Sequence, residues 1–392
     1  MNIPSFHQND LFNELTKSYD EFRVVFAHTK DKERVNQGWN SEQAQHYESN
    51  TIGRDLNFWQ VVSYVFKNRR ATHIVNGIWA EKSLFFVIIL LNIFKANFLI
   101  YSEAPISTKD RSFSKKIILR FIVIPLAKLL IIRAKGILAV SVFAVEYFES
   151  LGVKAEKICR FGYFRTVVIN DENSPENLPH KLKYREFEQI KHRNPTKSRD
   201  LSLIFVGQLI ERKGIMTLIK ALKIISEKNN SFHLTIIGTG ELKSVLKAFI
   251  NLNQLQNRVT LLGVVSSENI IDYIEKADLL ILPSISDGWG MVINEALQSH
   301  VPVLVSDQCG AKELVRVDQN GFIFQGNNIE SLVENLQRFL NLSPEKKMEM
   351  KHYAGEMGKK ISVLEVSHYL NRCVEHCLEP QSVKPTAPWL ND

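Results

Sequence analysis

Apolar and polar positions alternate along this chain in two rhythms. Short β-branched and aromatic runs stand at residues 22–28 (FRVVFAH), 73–76 (HIVN), 97–102 (NFLIYS) and 136–140 (GILAV). Between them, around residues 59–67 and 80–94, the apolar positions follow a helical pattern. Strands alternating with helices predict a parallel sheet with helices on its faces. Residues 170–200 break the pattern with NDENSPENLPHK and KHRNPTKSRD, which mix three prolines with dense charge. That stretch reads as a linker with one short helix near 182–191.

The rhythm then restarts more cleanly. Buried-strand candidates lie at 201–206, 233–237, 259–262, 279–282 and 303–305, with helices near 215–228, 242–252, 268–276 and 292–298. Beyond residue 344 the chain is helical near 345–360 and 363–378 and ends in the coil KPTAPWLND. The predicted fold class is α/β, with two Rossmann-like doubly wound domains facing across a cleft. They occupy residues 1–170 and 201–360, joined by the linker 171–200, while the helix and tail at 361–392 return to the first domain. Ligands of such sheets bind at the carboxyl ends of the strands, so chemistry is sought just after each strand.

Composition narrows the class. The 392 residues are 45% hydrophobic and 23% charged, which excludes disorder and collagen-like structure. Four scattered cysteines are too few for a disulfide framework and suit a reducing compartment. Residues 1–200 carry 30 basic and 21 acidic side chains, net +9, against 19 and 21, net −2, in the remainder. Two domains with different partners follow, the basic one suited to an anionic surface or substrate. No basic-then-apolar leader opens the sequence. The apolar runs 84–94 and 117–132 fall short of the ~20 residues a span needs. The expected setting is the cytoplasm, peripheral to the inner face of the membrane. Residues 112–135 (SFSKKIILRFIVIPLAKLLIIRAK) combine basic side chains with a wide Ile/Leu face, fitting either an anionic lipid surface or packing on the sheet.

Three segments carry the candidate chemistry. Residues 283–295 (PSISDGWGMVINE) follow a strand and open a helix. Gly288 and Gly290 allow close backbone approach. The amides of Trp289, Gly290, Met291 and Val292 precede any intrahelical acceptor and can meet an anion or sugar hydroxyls. Asp287 is a ligand contact or a plain N-cap, and Trp289 a ligand contact or a packing residue. Glu295 has apolar neighbours, so a specific partner such as a ribose diol suits it better than a solvated face. The second segment, 207–214 (GQLIERKG), puts Arg212 and Lys213 beside a strand end, as a diphosphate clamp or a solvated turn. The third, 237–242 (IGTGEL), lacks the third glycine of a dinucleotide fingerprint and reads as a tight turn. The CVEHC run at 373–377 suggests metal only superficially, since a fourth ligand is missing, and reads as packing.

Together these segments resemble the nucleotide-sugar-binding half of the retaining glycosyltransferases of family four (glycosyl transferases group 1), which have the GT-B fold. The resemblance covers residues 201–324 and includes FVGQLIERKG, LTIIGTGEL, ADLLILPS, DGWG with NEAL, VPVLVSD, GAKELV and NGFIF. The family's Glu-x7-Glu hallmark is Asp287 and Glu295 in this chain. The resemblance implies that Glu295 bonds ribose, that Asp287 with the amides of residues 288–292 meets sugar and diphosphate, and that Lys213 neutralises the diphosphate. The family often has Gly-Arg where this chain has Gly207-Gln208, so Arg212 would be the second cation. The segments PSFHQ, NGIW and YSEAP are similar to a bacterial branch that builds surface polysaccharides, with His7 and Glu103 on the acceptor side. The family commonly opens with a strand and a glycine-rich loop, whereas this chain begins at IPSFHQNDLF, already in the loop.

The implied activity is retaining, metal-independent transfer from a nucleotide-diphosphate sugar to a glycan or lipid-linked acceptor. No cofactor and no metal are expected, because no Asp-x-Asp motif lies beside the donor segment. No nucleic-acid partner is expected, because no aromatic-basic module accompanies the basic half. A nucleotide-sugar epimerase of similar fold and a degenerate nucleotide-binding scaffold are the competing readings.

Overall fold

The computed structural model describes residues 6–28, 46–77, 82–105, 124–131, 133–167, 200–228, 231–266, 269–379 and 382–391. Most of the predicted linker, the short helix near 182–191 and the first half of the 112–135 segment lie outside them. Two compact units emerge. One joins residues up to Arg165 with the segment from Lys360 onward, and the other runs from Thr166 to Lys359.

The first unit opens with α1 (Phe6–Leu15), followed by a parallel pair, β1 (Arg23–Phe26) and β2 (Glu48–Thr51). Its main sheet is all parallel and ordered β3 (Thr72–Asn76), β4 (Asn97–Glu103), β5 (Gly136–Val140), β6 (Ile158–Phe161). The connecting helices are α2 (Phe58–Lys67), α3 (Lys82–Ile93), α4 (Ile124–Ile131) and α5 (Ser141–Ser150). α2 starts where Asn57 and Gln60 form a reciprocal capping box. Phe98 and Ile100 of β4 point into a core with Val61 of α2, Ile88 of α3 and Phe148 of α5.

The alternate residues of the same strands need a second cover, because a parallel sheet is apolar on both faces. The C-terminal helix α12 (Val363–Leu378) supplies it, packing on β4, β5 and α1. Tyr369 stacks on Phe161 at 6.1 Å and donates its hydroxyl to the Arg160 carbonyl at 2.9 Å. Gly136 must be glycine here, since a Cβ would overlap the Cys377 sulfur. His376 spans the carbonyls of Glu156 and Ser382, 2.9 Å from each, and Cys373 and Cys377 are buried beside it. The tail then folds back: Lys384 reaches the Ala155 carbonyl at 2.7 Å, and Trp389 is fully buried against Phe164 and Tyr369. The expected return of the C-terminal helix is therefore observed.

The second unit has a six-stranded parallel sheet ordered β12-β11-β10-β7-β8-β9. Its strands are β7 (Leu201–Val206), β8 (Phe232–Ile237), β9 (Val259–Gly263), β10 (Leu279–Leu282), β11 (Val303–Ser306) and β12 (Gly321–Phe324). From β7 the chain builds outward to β9, crosses back and builds the other way from β10. This is the Rossmann order, with its switch point between β7 and β10. The helices are α6 (Ile215–Ser226), α7 (Lys243–Leu252), α8 (Ile270–Glu275), α9 (Met291–Gln298), α10 (Ile329–Leu340) and α11 (Pro344–Lys360). Ile215, Leu218 and Leu222 of α6 and Leu332 and Leu336 of α10 fill a core with Phe205 and Leu234.

Some elements depart from expectation. His7 lies in the first turn of α1, whose segment is too polar to announce a helix; the residues before Phe6 lie outside the described ones. β2 (ESNT) carries no apolar residue and exists through its register with β1. β6, β12 and α10 are further elements that the pattern did not separate from their surroundings. No described helix is long and apolar enough to cross a membrane.

Trp389→Ala is expected to destabilise the protein by about 3–5 kcal/mol, because it empties a large packed site and releases the tail. Urea unfolding checks this, and a midpoint like that of the native chain would contradict the packing role of the tail.

Candidate functional site

The switch point of the second unit gathers the loops after β7, β10 and β11. The loop after β7 begins at Gly207, whose amide donates to the Ile237 carbonyl at 3.0 Å. Gly238, at φ +137°, lies so close that a Cβ would strike the Gly207 carbonyl. The IGTG turn is therefore a backbone-on-backbone contact that only glycine permits. A 3-10 turn, Glu211–Lys213, follows and ends at Gly214, whose φ of +69° starts α6. A Cβ on Gly214 would land on the Pro283 carbonyl, so the loops after β7 and β10 press together.

Three polar contacts join those two loops. Ile285 donates its amide to the Arg212 carbonyl at 2.8 Å, and the Arg212 guanidinium donates to the Ser286 carbonyl at 2.9 Å. Lys213 Nζ donates to Asp287 Oδ2 at 2.5 Å, with the side chains only 16% and 11% exposed. The Ser284 hydroxyl donates to the same oxygen at 3.3 Å, and Arg212 Nη1 stands 4.0 Å from Oδ1. Asp287 therefore acts as the acceptor for Lys213 and not as the plain helix cap. The N-cap of α9 is Gly290, at φ +98° and without a side-chain cap. A Cβ at Gly290 would stand 2.6 Å from the Cys309 sulfur and 2.8 Å from Leu282 Cδ2.

The loop after β11 locks the third side. Asp287 exchanges backbone bonds with Gln308 and Gly310, and Ala311 donates to the Trp289 carbonyl at 2.7 Å. The Cys309 thiol donates to the same carbonyl at 2.8 Å. Burial pushes the Cys309 thiol pKa far up, and the Asp287 charge adds to the effect. The Trp289 indole lies in the interior and donates to Asn294 at 2.9 Å, so its side chain packs and its backbone remains with the loop. Gly288 is half-buried, as is Met291, and Val292 is buried. Glu295 is 6% exposed in the second turn of α9, and its flanking residues Asn294 and Ala296 are wholly buried. The described geometry thus brings together Gly207, Arg212, Lys213 and Asp287 with the start of α9. Glu103 lies in the other unit, at the end of β4, where it is half-buried. His7 is also in that unit, in α1. Cys309 and Gln308 were missed as site-shaping residues; the GAKELV motif next to them was the available signal.

The arrangement is that of an anion site. Lys213, Arg212 and Asp287 sum to one net positive charge. The N-terminus of α9 adds about half an elementary charge. Its first amides lack intrahelical acceptors, and strand-end crevices at such switch points receive ligands.

Comparison with known proteins adds a family match: residues 186–359, which hold this site, match the model of glycosyl transferases group 1. An uncharacterised glycosyltransferase of Methanocaldococcus jannaschii is 31% identical over 159 residues, 41% of this chain and 42% of that protein. The amylovoran biosynthesis glycosyltransferase AmsK of Erwinia amylovora is 31% identical over 144 residues, 35% of each chain. The likeness to these relatives thus spans less than half of their length. The crystal structure of Anabaena HepE in complex with UDP superposes with a TM-score of 0.70, at 18% identity, over 96% of this chain and 100% of that one. That likeness establishes the GT-B fold for this chain.

Cys309 is expected to resist iodoacetamide at pH 8 in the folded protein and to react readily in urea. Its burial and the neighbouring carboxylate both oppose the thiolate. Mass spectrometry of the alkylated peptide reads the outcome, and rapid native labelling would contradict the closed loop.

Proposed function

We propose that the protein is a retaining glycosyltransferase. It moves a sugar from a nucleotide-diphosphate sugar to a glycan or lipid-linked acceptor in surface-polysaccharide assembly. The observation that carries this reading is the Lys213–Asp287 pair across the switch point, beside the uncapped start of α9. The match of residues 186–359 to glycosyl transferases group 1 supports it, as do the named role of AmsK in amylovoran biosynthesis and the UDP bound to HepE.

On this reading the diphosphate sits at the start of α9. Departure of the nucleoside diphosphate concentrates negative charge on its bridging oxygen. Lys213 and Arg212 stand where that charge develops, already oriented by Asp287 and by the Ser286 carbonyl. Fixed charges of this kind need no reorganisation during the reaction, and such electrostatic preorganisation is often the largest catalytic contribution. Asp287 sets the Lys213 ammonium in place and faces the sugar, while Glu295 holds the ribose hydroxyls. Gly207 leaves room for the nucleotide, and the amides from Gly288 to Val292 meet the phosphoryl and sugar oxygens. The acceptor approaches from the side of His7 and Glu103. Residues 112–135 bring the protein to an anionic membrane that carries a lipid-linked acceptor.

Lys213→Ala and Glu295→Ala are each expected to cut transfer at least tenfold with unchanged circular dichroism. Unaltered turnover in both would overturn the site. A panel of nucleotide sugars read by thermal shift identifies the donor, since a ligand at 100 times its Kd adds about 2.7 kcal/mol of stability.

A further inference from the structure

Three of the four cysteines, scattered along the sequence, meet in the first unit. Cys159 lies in β6, on the face that α12 covers, because Phe161 two residues later stacks on Tyr369 of that helix. Cys373 and Cys377 stand one turn apart on α12 and share a side of it. Both donate hydrogen bonds to the Cys159 sulfur. The Cys377 sulfur also fills the place where a side chain at Gly136 would stand, on the neighbouring strand β5. The helix is thus seated with its two thiols against the sheet.

The three sulfurs are not equivalent. The hydrogen bonds from Cys373 and Cys377, and after them the charges of Lys384 and His376, hold the Cys159 thiol well below the usual thiol range. Lys384 is fixed there by the Ala155 carbonyl, and His376 by the carbonyls of Glu156 and Ser382. Cys373 is pushed the other way, by burial and then by Cys159, and Cys377 by its contact with Cys159 and then by burial. One readily ionised thiol beside protonated partners, in electropositive surroundings, is the arrangement of a reactive cysteine with a resolving one. Cys309 has the opposite setting, pushed up by burial and by the Asp287 carboxylate. Among the described residues no group of three His, Cys, Asp or Glu side chains is placed to hold a metal ion, so the cluster is read through the redox chemistry of sulfur.

We propose that Cys159 and Cys377 form a peroxide-sensitive dithiol that closes into a disulfide between β6 and α12. The Cys159 thiolate attacks one oxygen of hydrogen peroxide, the O–O bond breaks and hydroxide leaves, giving a sulfenic acid. The Cys377 sulfur then attacks the Cys159 sulfur, the S–O bond breaks, and the hydroxyl departs as water with the Cys377 proton. Two thiols are oxidised and one peroxide is reduced to two waters, the first hydroxide taking up the proton that Cys159 had lost. Cys377 is the resolving partner because it lies in the last turn of α12 and is 5% exposed, whereas Cys373 is wholly buried further inside the helix. A helix end can shift to reach disulfide geometry, and peroxide, little larger than water, enters beside it. The bond fastens the last helix, and with it α1 on which that helix packs, to the sheet. A reversible link of this kind suits thiols that are reduced at rest. The inference is independent of the donor site.

Peptide mapping of the folded full-length protein after brief exposure to hydrogen peroxide tests it. Alkylation in urea then marks the thiols that remain, and cleavage after Glu375 separates Cys373 from Cys377. A cross-link between the Cys159 and Cys377 peptides is expected, reversed by dithiothreitol and formed at least tenfold faster than Cys309 is lost. Cys159→Ser is expected to abolish the cross-link and to leave Cys373 and Cys377 as slow to oxidise as Cys309. Loss of all four thiols at one rate, oxidation of Cys159 to a sulfinic acid without a cross-link, or a link to Cys373 in the native chain overturns the proposal. The native-chain map decides it even if the Cys159 variant folds poorly.

Discussion

The Lys213–Asp287 contact closes the one place in the second unit where the sheet reverses direction. At a switch point the chain leaves neighbouring strands toward opposite sides, so the loops after β7 and β10 must be joined by contacts of their own. Here one ammonium and one carboxylate, both largely withdrawn from water, join them beside the Ile285–Arg212 backbone bond and the Arg212–Ser286 contact. Such a pair tolerates no half-measure, because removing either partner leaves a charge of the other sign without compensation, which costs about 3–5 kcal/mol in buried settings. The same contact orients the cation and frees the first turn of α9 from any side-chain cap. The seam between these loops and the proposed chemistry thus share their residues.

The glycines around this seam follow from it. Gly214 and Gly238 sit at positive φ with backbone carbonyls where a Cβ would go, and Gly290 has the Cys309 sulfur there. Each marks a place where two loops must approach more closely than side chains allow. The first unit solves a different problem, the covering of a parallel sheet on both faces. Its intervening helices cover one side, and α12 with the Trp389 tail covers the other.

Much of this was legible in the residue pattern. The strands of the second unit are predominantly apolar runs, most of them buried on both faces, and such runs between helical segments can be placed to within a residue or two. DGWG and ERKG stood out because glycine and charge follow directly on those runs. Other elements were not legible. β2 carries no apolar residue and depends on its neighbour for register, while α1 owes its place to α12, more than three hundred residues away. The doubt over Trp289 was resolved only by its burial and its bond to Asn294.

The sequence by itself determined the α/β class, the two-part organisation and the loops that hold the charged residues, because hydrophobic periodicity and turn chemistry are local properties of the chain. The strand order, and with it the meeting of Lys213 with Asp287, was decided only by the tertiary structure. Which strand lies beside which depends on contacts between residues far apart in the chain, as does the choice of the last helix to cover the first sheet. The two partners of the central ion pair are 74 positions apart, and no local pattern encodes a distance across that interval.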